Sequence, residues 1–481
     1  MNTSVRPPKF EVAVVGGGIA GLLCAFVLSK NTSIEVHVYE AAHQLSEVGA
    51  GIGIFSRVWK IIEELGLAES LLPLANNEAA LTFHMRKSDS TEGLSFHDMN
   101  DLGINSVLRC VERAWINLPG TIMTFHRAEL QQAILKWLPS SCKVHLLKRL
   151  TSVDEPDSMD LPVSLHFADG TTATCDLLIG ADGIKSEVRM SMYRSRAAKA
   201  RSQGKEEVAD IWMRYLRPVW TGSVAYRGMV TKEQLMSLNR GSEPAVCKRP
   251  MMYCGSLRHV VGYPISNGNI VDIVAFTTDT DLEGAPFDAP LVSVVSNEEF
   301  VSKFQGFEQE VQDLLRFVDK PTRWAIHTVT PLPSFVSKRI ALLGDAAHAM
   351  APHQGAGASQ AVEDTYILTS LLTHPLCTQE TLPFALEIYD RIRRPLANAV
   401  LEGSRRAGFL FDFNLPGLRE DDIMQKGADG TLRPSMEVLR QVGQTMDTIQ
   451  EWIWKRAVQK DRECAITMLE ECCSRGSLRV D

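Results

Sequence analysis

The sequence of 481 residues predicts an α/β fold in which a Rossmann-like nucleotide-binding unit carries an inserted strand-rich segment and a helical C-terminal region. The first observation is a β-branched run at 11–15, a glycine turn, an apolar segment at 19–29 and an alternating strand at 34–39, which is the βαβ order. The second is the strand-rich stretch 220–276, divided by turn signals. The third is the helical, charged pattern that begins near residue 380.

The remaining elements follow from the same periodicities. Apolar residues at helical spacing predict helices at 56–67, 126–138 and 358–372. Short β-branched or alternating runs predict strands at 163–167, 172–178 and 339–343. The mixed, polar segment 79–106 is interpreted as an excursion from the first unit. The basic, Ser/Ala-rich run 189–206 is predicted to be a solvated loop or mobile insert.

This order of elements predicts three structural units. We expect a discontinuous nucleotide-binding domain formed by residues 1–78, 107–190 and 325–400. An inserted β-sheet domain that binds substrate is expected from residues 79–106 and 191–324. Residues 401–481 are predicted to form a C-terminal helical extension, which could cap the sheet, form a dimer surface or stay partly mobile.

Composition excludes several classes of protein. The 58 acidic and 50 basic residues give a formal charge of −8, which argues against nonspecific nucleic-acid binding. The 10 cysteines are too sparse for a disulfide scaffold. The uncharged run 12–28 resembles a membrane segment, but it is shorter than the roughly 20 residues that a span needs, and glycines interrupt it. We therefore expect a cytoplasmic protein, monomeric or homodimeric, without a membrane segment or a nucleic-acid partner.

The glycine turn has the spacing of a dinucleotide-binding loop. Gly16, Gly18 and Gly21 fit G-x-G-x-x-G between the first strand and the first helix, where a pyrophosphate can approach the backbone and the helix N-terminus. Glu40 ends the second strand, and its carboxylate can accept hydrogen bonds from both ribose hydroxyls. Because Glu40 disfavours a 2′-phosphate, the site predicts FAD or NAD rather than NADP.

Two later motifs decide between these cofactors. Residues 176–189 read DLLIGADGIKSEVR, and residues 339–357 read RIALLGDAAHAMAPHQGAG. Together with the glycine turn, these motifs resemble those of the class A FAD-dependent aromatic hydroxylases, in particular salicylate hydroxylases and fungal FAD-dependent monooxygenases. The resemblance extends over roughly residues 10–400. It implies FAD and a glutathione-reductase-type, p-hydroxybenzoate hydroxylase-like fold.

The resemblance also implies which residues hold FAD. Asp345 is expected to bind the ribityl chain and Arg127 the flavin phosphates, while Asp182 and Gly183 lie near the pyrophosphate and the NAD(P)H route. Gly53 and Ala358 are expected to line the isoalloxazine ring. The full set of expected cofactor residues is Gly16, Gly18, Ala20, Gly21, Glu40, Gly51, Gly53, Arg127, Asp182, Gly183, Asp345, Gly355, Gly357 and Ala358.

The implied activity is that of an NAD(P)H-dependent flavoprotein monooxygenase. NADH or NADPH docks transiently and reduces FAD, and O2 then forms a flavin C4a-hydroperoxide that hydroxylates a phenol or hydroxybenzoate, with or without oxidative decarboxylation. Two alternatives remain open. One is an epoxidase or dearomatising hydroxylase of a secondary metabolite on the same fold. The other is a non-catalytic FAD-binding regulatory protein.

Candidates for substrate chemistry lie in the strand-rich segment and beside the last glycine loop. We expect Tyr226 to enter the pocket and to hydrogen-bond the phenolic oxygen, with Arg227 packing or pairing behind it, because strand neighbours face opposite sides. The alternative for Tyr226 is a tyrosine that packs on the sheet. Arg189 could supply charge to a substrate anion, or could form a structural salt bridge.

Four further pocket residues are expected. Pro352 and His353 belong to the glycine loop, and Tyr263 and His259 are weaker candidates on the sheet. His348 and His353 are five residues apart, which does not fit a helical zinc pair, and no metal is predicted.

Overall fold

The computed structural model describes residues 9–45, 51–75, 83–99, 122–238, 243–266, 268–426 and 430–474. The strands of these residues, in chain order, are β1 (Phe10–Val15), β2 (Ile34–Tyr39), β3 (Gly51–Phe55), β4 (His84–Lys87), β5 (Leu94–Asp98), β6 (Ile122–His126), β7 (Lys143–His145), β8 (Leu150–Asp154), β9 (Val163–Phe167), β10 (Thr172–Cys175), β11 (Leu177–Gly180), β12 (Val219–Thr231), β13 (Met251–Gly255), β14 (Arg258–Ile265), β15 (Ile270–Thr278), β16 (Val292–Val294), β17 (Thr322–Thr328), β18 (Ile340–Leu342), β19 (Asn414–Leu415), β20 (Leu418–Arg419), β21 (Met424–Lys426) and β22 (Leu432–Pro434).

The helices of the same residues are α1 (Ile19–Ser29), α2 (Ser56–Glu64), α3 (Ala68–Leu71), α4 (Arg127–Trp137), α5 (Glu187–Ser202), α6 (Glu206–Met213), α7 (Lys232–Leu238), α8 (Ala245–Lys248), α9 (Asn297–Ser302), α10 (Gln309–Arg316), α11 (Asp345–His348), α12 (Gly357–Thr373), α13 (Leu382–Phe411), α14 (Glu420–Ile423), α15 (Met436–Gln450), α16 (Trp452–Lys455) and α17 (Val458–Ser474). Short 3-10 turns lie at Leu72–Leu74, Thr280–Leu282 and Pro352–Gln354.

A parallel sheet of five strands forms the nucleotide-binding unit, in the order β18-β11-β1-β2-β7. Its central strand β1 is almost entirely buried, as expected where both faces of a sheet are covered. Helix α1 packs between this sheet and the helices α4 and α12. The residues of α1 are apolar around the whole helix and not only along one stripe, which fits a helix that is buried on several sides.

A mixed sheet of eight strands forms the second unit, in the order β16-β17-β12-β15-β14-β13-β4-β5. The pair β13 and β4 is parallel and the other pairs are antiparallel. One face of the sheet packs on the buried side chains of α9 and α10, among them Phe300 and Leu314. The other face packs on α13 and α15 through Met252, Phe411 and Leu439.

The C-terminal helices are integral to both units. Helix α13 is 30 residues long and contacts α12, α15 and α17. Val458, Ala465 and Leu469 of α17 are buried in the same core cluster as the nucleotide-binding sheet. The C-terminal region therefore covers the core of the first unit as well as one face of the second sheet.

The basic run 189–206 is not a loop, which corrects the prediction from the sequence. Residues 187–202 form helix α5, and Ser186 caps its N-terminus by accepting a hydrogen bond from the backbone N–H of Arg189 at 2.9 Å. Residues 187–202 contain no glycine or proline, and their Ala, Met, Arg and Lys residues favour helix. The exposed cations of this helix form ion pairs, such as Arg194 with Glu187.

The predicted domain divisions do not coincide with the ends of elements. The divisions after residues 190, 324 and 400 lie inside α5, β17 and α13. The division near residue 78 and the one near residue 106 fall outside the described residues. The division into three units therefore stays a prediction. Among the helices of the described residues, no helix combines the length and the apolar character that crossing a membrane requires.

Candidate active site

The glycine turn connects β1 to α1 in very close contact with a neighbouring strand end. Gly16 has φ +110°, and a Cβ atom at this position would overlap the carbonyl oxygen of Ala181. A Cβ atom on Gly21 would overlap the carbonyl oxygen of Gly16 itself. Gly18 is the N-cap of α1, and Ala20 lies in its first turn. Only glycine fits at these contacts, and the free N–H groups of the helix start are kept available for an anion.

Glu40 closes the other side of this turn. Its Oε2 atom accepts a hydrogen bond from the N–H of Gly17 at 2.6 Å, and its Oε1 atom accepts one from Ala42 at 2.7 Å. Helix α4 contributes a further contact, because the side-chain amide of Gln131 donates to the carbonyl oxygen of Gly17 at 2.9 Å. The carboxylate therefore lies beside the glycine turn, where a ribose would bind.

The second glycine-acid turn approaches the first. Gly344 has φ +60°, and a Cβ atom there would lie 3.2 Å from the Cβ of Ala20. Asp345, the next residue, is exposed although its neighbours on both sides are buried. Burial lowers the pKa of Arg127, while attraction to Asp345 raises it and repulsion from Arg227 lowers it further. Arg127, Asp345 and Arg227 are therefore close enough to interact.

The ribbon of β3 and β6 connects the turns to the last glycine loop. Gly53 lies near that loop, since a Cβ atom on it would be 3.9 Å from the carbonyl oxygen of Gly355. A Cβ atom on Gly357 would lie 3.9 Å from Oδ1 of Asp345. Ala358 follows in the first turn of α12. Gly357 thus lies beside Asp345, and Gly53 lies beside the same glycine loop.

Asp182 and Gly183 occupy the turn between β11 and α5. The Oδ2 atom of Asp182 accepts hydrogen bonds from the backbone N–H groups of Glu187 and Val188 at 2.8 and 3.1 Å. Burial raises the pKa of Asp182, and these hydrogen bonds oppose that rise. Gly183 has φ +75° with open space around its Cα. In the described contacts, the carboxylate of Asp182 stabilises the start of α5.

Arg189 does not lie free in a substrate pocket, contrary to the prediction that its charge could meet a substrate anion. Its side chain is completely buried and donates to the carbonyl oxygens of Ala346 at 2.9 Å and Ile184 at 2.5 Å. Ala346 follows Asp345 in α11. The guanidinium therefore supports the turn that carries Asp345, and it does so through backbone carbonyls and not through a salt bridge.

Tyr226 and Arg227 face opposite sides of the sheet as predicted, but the assignment of sides is reversed. Tyr226 stacks on Phe300 at 5.4 Å between ring centroids, in the cluster on the side of α9 and α10. Its hydroxyl is 3.5 Å from Oε1 of Glu299. Arg227 lies on the other face. The alternation of side chains along a strand predicts that neighbouring residues face opposite sides of the sheet, but it does not predict which of the two faces the site.

Arg227, Tyr263 and Asp272 form a cluster on that other face. The Tyr263 hydroxyl donates to Oδ2 of Asp272 at 2.5 Å, and Arg227 Nη2 lies 3.7 Å from the same oxygen. The N–H of Gly51 points to this oxygen at 3.4 Å, so the cluster contacts the start of β3. Burial raises the pKa of Tyr263 and of Asp272. The face that carries Arg227 is therefore the one that meets the nucleotide-binding unit.

The loop Pro352–Gln354 meets the same face near its other end. Pro352 is exposed, whereas His353 packs against His259 and Phe276 with ring centroids 5.1 and 4.8 Å away. Burial, together with the neighbouring His259, holds the pKa of His353 well below its usual range. Gln354 is held by α16, because the indole N–H of Trp452 donates to its side-chain oxygen at 2.9 Å.

These residues fit FAD. The glycine turn leads into the N-terminus of α1, where free backbone N–H groups can bind a phosphate, and Asp345 is exposed in an otherwise buried turn beside Arg127. Glu40, Asp345 and Arg127 would hold the ribose, the ribityl chain and the phosphates. In the described part of the chain, no group of three or more His, Cys, Asp or Glu side chains is arranged to hold a metal ion.

Reasoning from the sequence missed three residues that shape the site: Gln131, Asp272 and Asp364. Asp364 of α12 accepts hydrogen bonds from the Gly344 N–H at 3.0 Å, from His348 Nε2 at 2.6 Å and from Arg393 Nε at 2.9 Å. All three depend on contacts between segments far apart in the chain. Only Asp364 had a local signal, as a charged residue within an apolar helix pattern.

The comparisons with known proteins agree with this geometry. The model of the FAD binding domain family matches residues 9–235 and 315–404. Salicylate hydroxylase from Pseudomonas putida is 33% identical over 96% of this chain and 95% of its own length. The 6-methylsalicylate 1-monooxygenase of Aspergillus terreus is 29% identical over 98% of this chain and 94% of its own.

A solved salicylate hydroxylase substrate complex superposes with a TM-score of 0.76 and 30% identity, over 96% of this chain and 98% of that one. An FAD-dependent monooxygenase from Strobilurus tenacellus is 32% identical over 96% of this chain and 98% of its own length. These similarities extend over nearly the full length of the chain and of each relative. The chain therefore belongs to the FAD binding domain family and is a flavoprotein monooxygenase.

Proposed function

We propose that this monooxygenase hydroxylates a phenol that carries a carboxylate, a compound of the salicylate type, with NAD(P)H and O2 as cosubstrates. The observation that carries the proposal is the sheet face with Arg227, Tyr263 and His259, which contacts both β3 and the loop Pro352–Gln354. Relatives named for salicylate and 6-methylsalicylate support the same substrate class.

Arg227 is the proposed binding residue for the substrate carboxylate. Its Nη2 atom is 3.7 Å from Asp272, longer than a close ion pair, and its buried Nε atom has no hydrogen-bond partner among the described residues. Asp272 is held by Tyr263 and Gly51, so the guanidinium is fixed from one side only. A planar guanidinium can bind a carboxylate through two parallel hydrogen bonds.

His353 is the proposed acceptor of the phenolic proton. Burial and the neighbouring His259 hold its pKa well below the usual range of histidine, so the ring is neutral and has one unprotonated nitrogen, although the same surroundings make it a weaker base. Phe276 and His259 pack against one side of the ring. Deprotonation makes the phenol ring a better nucleophile toward an electrophilic oxygen.

FAD, when bound, supplies reduction by NAD(P)H and activation of O2. The residues of this chain position the ring, bind the carboxylate and accept the proton. Hydroxylation at the carbon that bears the carboxylate would break the bond to that carboxylate as the C–O bond forms, and CO2 would leave. One atom of O2 enters the product and the other forms water, with two electrons from NAD(P)H.

A substrate panel tests the proposal. FAD-loaded protein is mixed with salicylate, 6-methylsalicylate, 4-hydroxybenzoate or phenol, and the oxidation of NADH and NADPH, the hydroxylated product and CO2 are measured. Benzoate, which lacks the hydroxyl, is the control. We expect product and CO2 from salicylate. The proposal is wrong if no phenol in the panel is hydroxylated, and decarboxylation is excluded if salicylate gives product without CO2.

A further inference from the structure

The short 3-10 turn Pro352–Gln354 is anchored at both ends to one serine of the long helix α13. Ser404 is completely buried, and its hydroxyl donates a hydrogen bond to the carbonyl oxygen of Ala351 at 2.5 Å. The same hydroxyl oxygen accepts a hydrogen bond from the backbone N–H of Gln354 at 3.3 Å. One side chain therefore holds both the residue before the turn and the last residue of the turn.

The side chain of Gln354 connects the turn to α13 and to α16. Its amide nitrogen donates to the carbonyl oxygen of Val400 at 3.3 Å, and its oxygen accepts a hydrogen bond from the indole N–H of Trp452 at 2.9 Å. Gln354 is buried, whereas Pro352 and Gly355 are exposed. The buried residue therefore anchors the loop, and the exposed residues stay available to a ligand.

Trp452 is itself held by β3 and α2. The guanidinium of Arg57 in α2 donates to the carbonyl oxygen of Trp452 at 2.9 Å and also to that of Arg456. Arg57 is buried, and its Nε atom lies 2.7 Å from Oε1 of Glu363 in α12. The indole ring packs edge-on against Phe55, the last residue of β3, with ring centroids 5.6 Å apart. The position of the indole N–H is therefore set by elements that border the glycine loop.

Two glycines within α13 leave room for the same loop. A Cβ atom on Gly403 would lie 2.9 Å from the side-chain nitrogen of Gln354, and a Cβ atom on Gly408 would lie 2.6 Å from two ring atoms of His353. Glycine is unfavourable in the interior of a helix, because it loses more backbone entropy on folding than alanine. The sequence of α13 therefore fits close contact with the loop better than it fits the stability of the helix alone.

We propose that Ser404 and Trp452 are positioning residues that hold the loop 351–355 in the conformation that binds FAD. The loop leads directly into α12, and a Cβ atom on Gly53 of β3 would lie 3.9 Å from the carbonyl oxygen of Gly355. A shift of the loop would therefore change the distance between β3 and the start of α12. Because coupling between binding and conformation is reciprocal, bound FAD should in turn stabilise the contacts of the loop with α13 and α16. This inference rests on the cofactor site of the proposed function and not on which phenol is hydroxylated.

Hydrogen exchange of the full-length protein, with and without FAD, tests this coupling without turnover. We expect FAD to slow the exchange of backbone amides in the loop 351–355 and also in α16, although α16 contains none of the residues expected to hold the cofactor. In Trp452→Phe, FAD should still slow exchange in the loop, but the protection of α16 should be lost. Protection of the loop without any change in α16 of the wild-type protein would overturn the proposal.

Titration of the apoprotein with FAD measures the size of the effect. Trp452→Phe keeps an aromatic ring but removes the indole N–H, and Ser404→Ala removes the hydroxyl. Each change should raise Kd for FAD about 3- to 10-fold, the range expected for loss of one hydrogen bond. Trp454→Phe is the matched control, because Trp454 lies in the same short helix and its described contacts include no hydrogen bond to the loop. Equal Kd values for Trp452→Phe and Trp454→Phe would contradict the proposal.

A double-variant cycle separates positioning of the loop from general damage. Gln354→Leu removes the acceptor of the Trp452 indole, so adding Trp452→Phe to this variant should not weaken FAD binding further. Additive losses would show that Trp452 does not act through Gln354, and the proposal would then be wrong.

A glycine of α13 gives an independent test. Gly403→Ala favours the helix but displaces the side chain of Gln354, so it should raise Kd for FAD without weakening α13. An unchanged Kd would mean that the position of Gln354 does not matter for the cofactor. If the protein binds FAD but hydroxylates no phenol in the panel, the proposed function fails, whereas the titrations and exchange measurements still decide the role of Ser404 and Trp452.

Discussion

Asp345 is exposed because the residues on both sides of it are held by hydrogen bonds to buried side chains. Asp364 holds the N–H of Gly344, and Arg189 donates to the carbonyl oxygen of Ala346, so the residues on either side of Asp345 are anchored to buried charges. Asp364 is itself paired with Arg393 and His348 in a fully enclosed network. The Asp345 carboxylate thus points away from the core without freedom to turn back.

Replacing Asp345 by alanine should weaken FAD binding. Loss of a hydrogen bond from a carboxylate costs about 1.5–3 kcal/mol, which corresponds to roughly 10- to 100-fold in Kd. The measurement is a titration of apoprotein with FAD, followed by quenching of flavin fluorescence. The exposed Asp288→Ala serves as the control and should bind like the wild type. Equal affinity of both variants would show that Asp345 does not contact the cofactor.

Because Arg227 and not Tyr226 faces the nucleotide-binding unit, substitutions of these two residues should have different effects on KM. Arg227→Gln should raise KM for salicylate at least about tenfold, because a charged hydrogen bond is lost, but should change KM for phenol little. Tyr226→Phe should leave both KM values unchanged, since its ring packs on Phe300. Initial rates of NADH oxidation coupled to product decide the matter. A larger effect of Tyr226→Phe than of Arg227→Gln would reject the assignment of faces.

At this scale, the sequence indicates residue types but not their surroundings. Glu40 could be placed because it ends a strand at a fixed spacing from a glycine turn, and both signals are local. Asp272 and Asp412 could not be placed, because their partners Gly51 and His259 are distant in sequence and meet only in the folded sheet. For Arg189 the sequence leaves open a charge for a substrate anion or a structural salt bridge, because burial of a cation is not visible in a motif.

At the scale of elements, a strong apolar periodicity predicts the bounds of helices and strands closely. Helix α1 and strand β2 have the bounds that the apolar pattern predicts, and α4 and α12 differ by one residue at each end. Helix α5 was missed because its buried residues do not stand out from a run of arginines and serines. Its N-cap Ser186, followed by Glu187, was the available signal.

The cap of α5 can be tested directly. Ser186→Ala removes a buried hydroxyl that accepts from the Arg189 N–H and donates to Asp182, and we expect a loss of about 1–2 kcal/mol in the free energy of unfolding. Ser202→Ala, at the exposed end of the same helix, should cost less than about 0.5 kcal/mol. Urea denaturation followed by circular dichroism compares them. Equal midpoints would mean that the cap does not stabilise α5.

At the scale of the whole molecule, the C-terminal helices connect the two sheets. Helix α17 packs on α12 and α13, while α15 covers the second sheet beside β5. The sequence predicts that residues after 400 are helical but leaves open whether they cap the sheet, form a dimer surface or stay partly mobile. The answer depends on which apolar faces meet, and that depends on the path of α13 across both units.

Leu469 tests this contribution. The side chain is completely buried against the core of the nucleotide-binding unit, and Leu469→Ala should destabilise the protein by about 2–5 kcal/mol. Cys464→Ala, on the exposed side of the same helix, should change stability by less than about 0.5 kcal/mol. Thermal unfolding of the two variants with FAD bound is the measurement. A small effect of Leu469→Ala would indicate that α17 is dispensable for the core.

The position of β18 in the first sheet has a consequence for synthesis of the chain. Strands β1, β2, β7 and β11 all lie before residue 181, but the outer strand β18 comes from Ile340–Leu342, and the Tyr389 hydroxyl donates to the carbonyl oxygen of Leu342 at 2.8 Å. A nascent chain therefore displays the glycine turn long before the ribosome has made the acidic turn that meets it. We expect nascent chains to become able to retain flavin only late in translation, because Asp345, Gly355, Gly357 and Ala358 are encoded in the last third of the message.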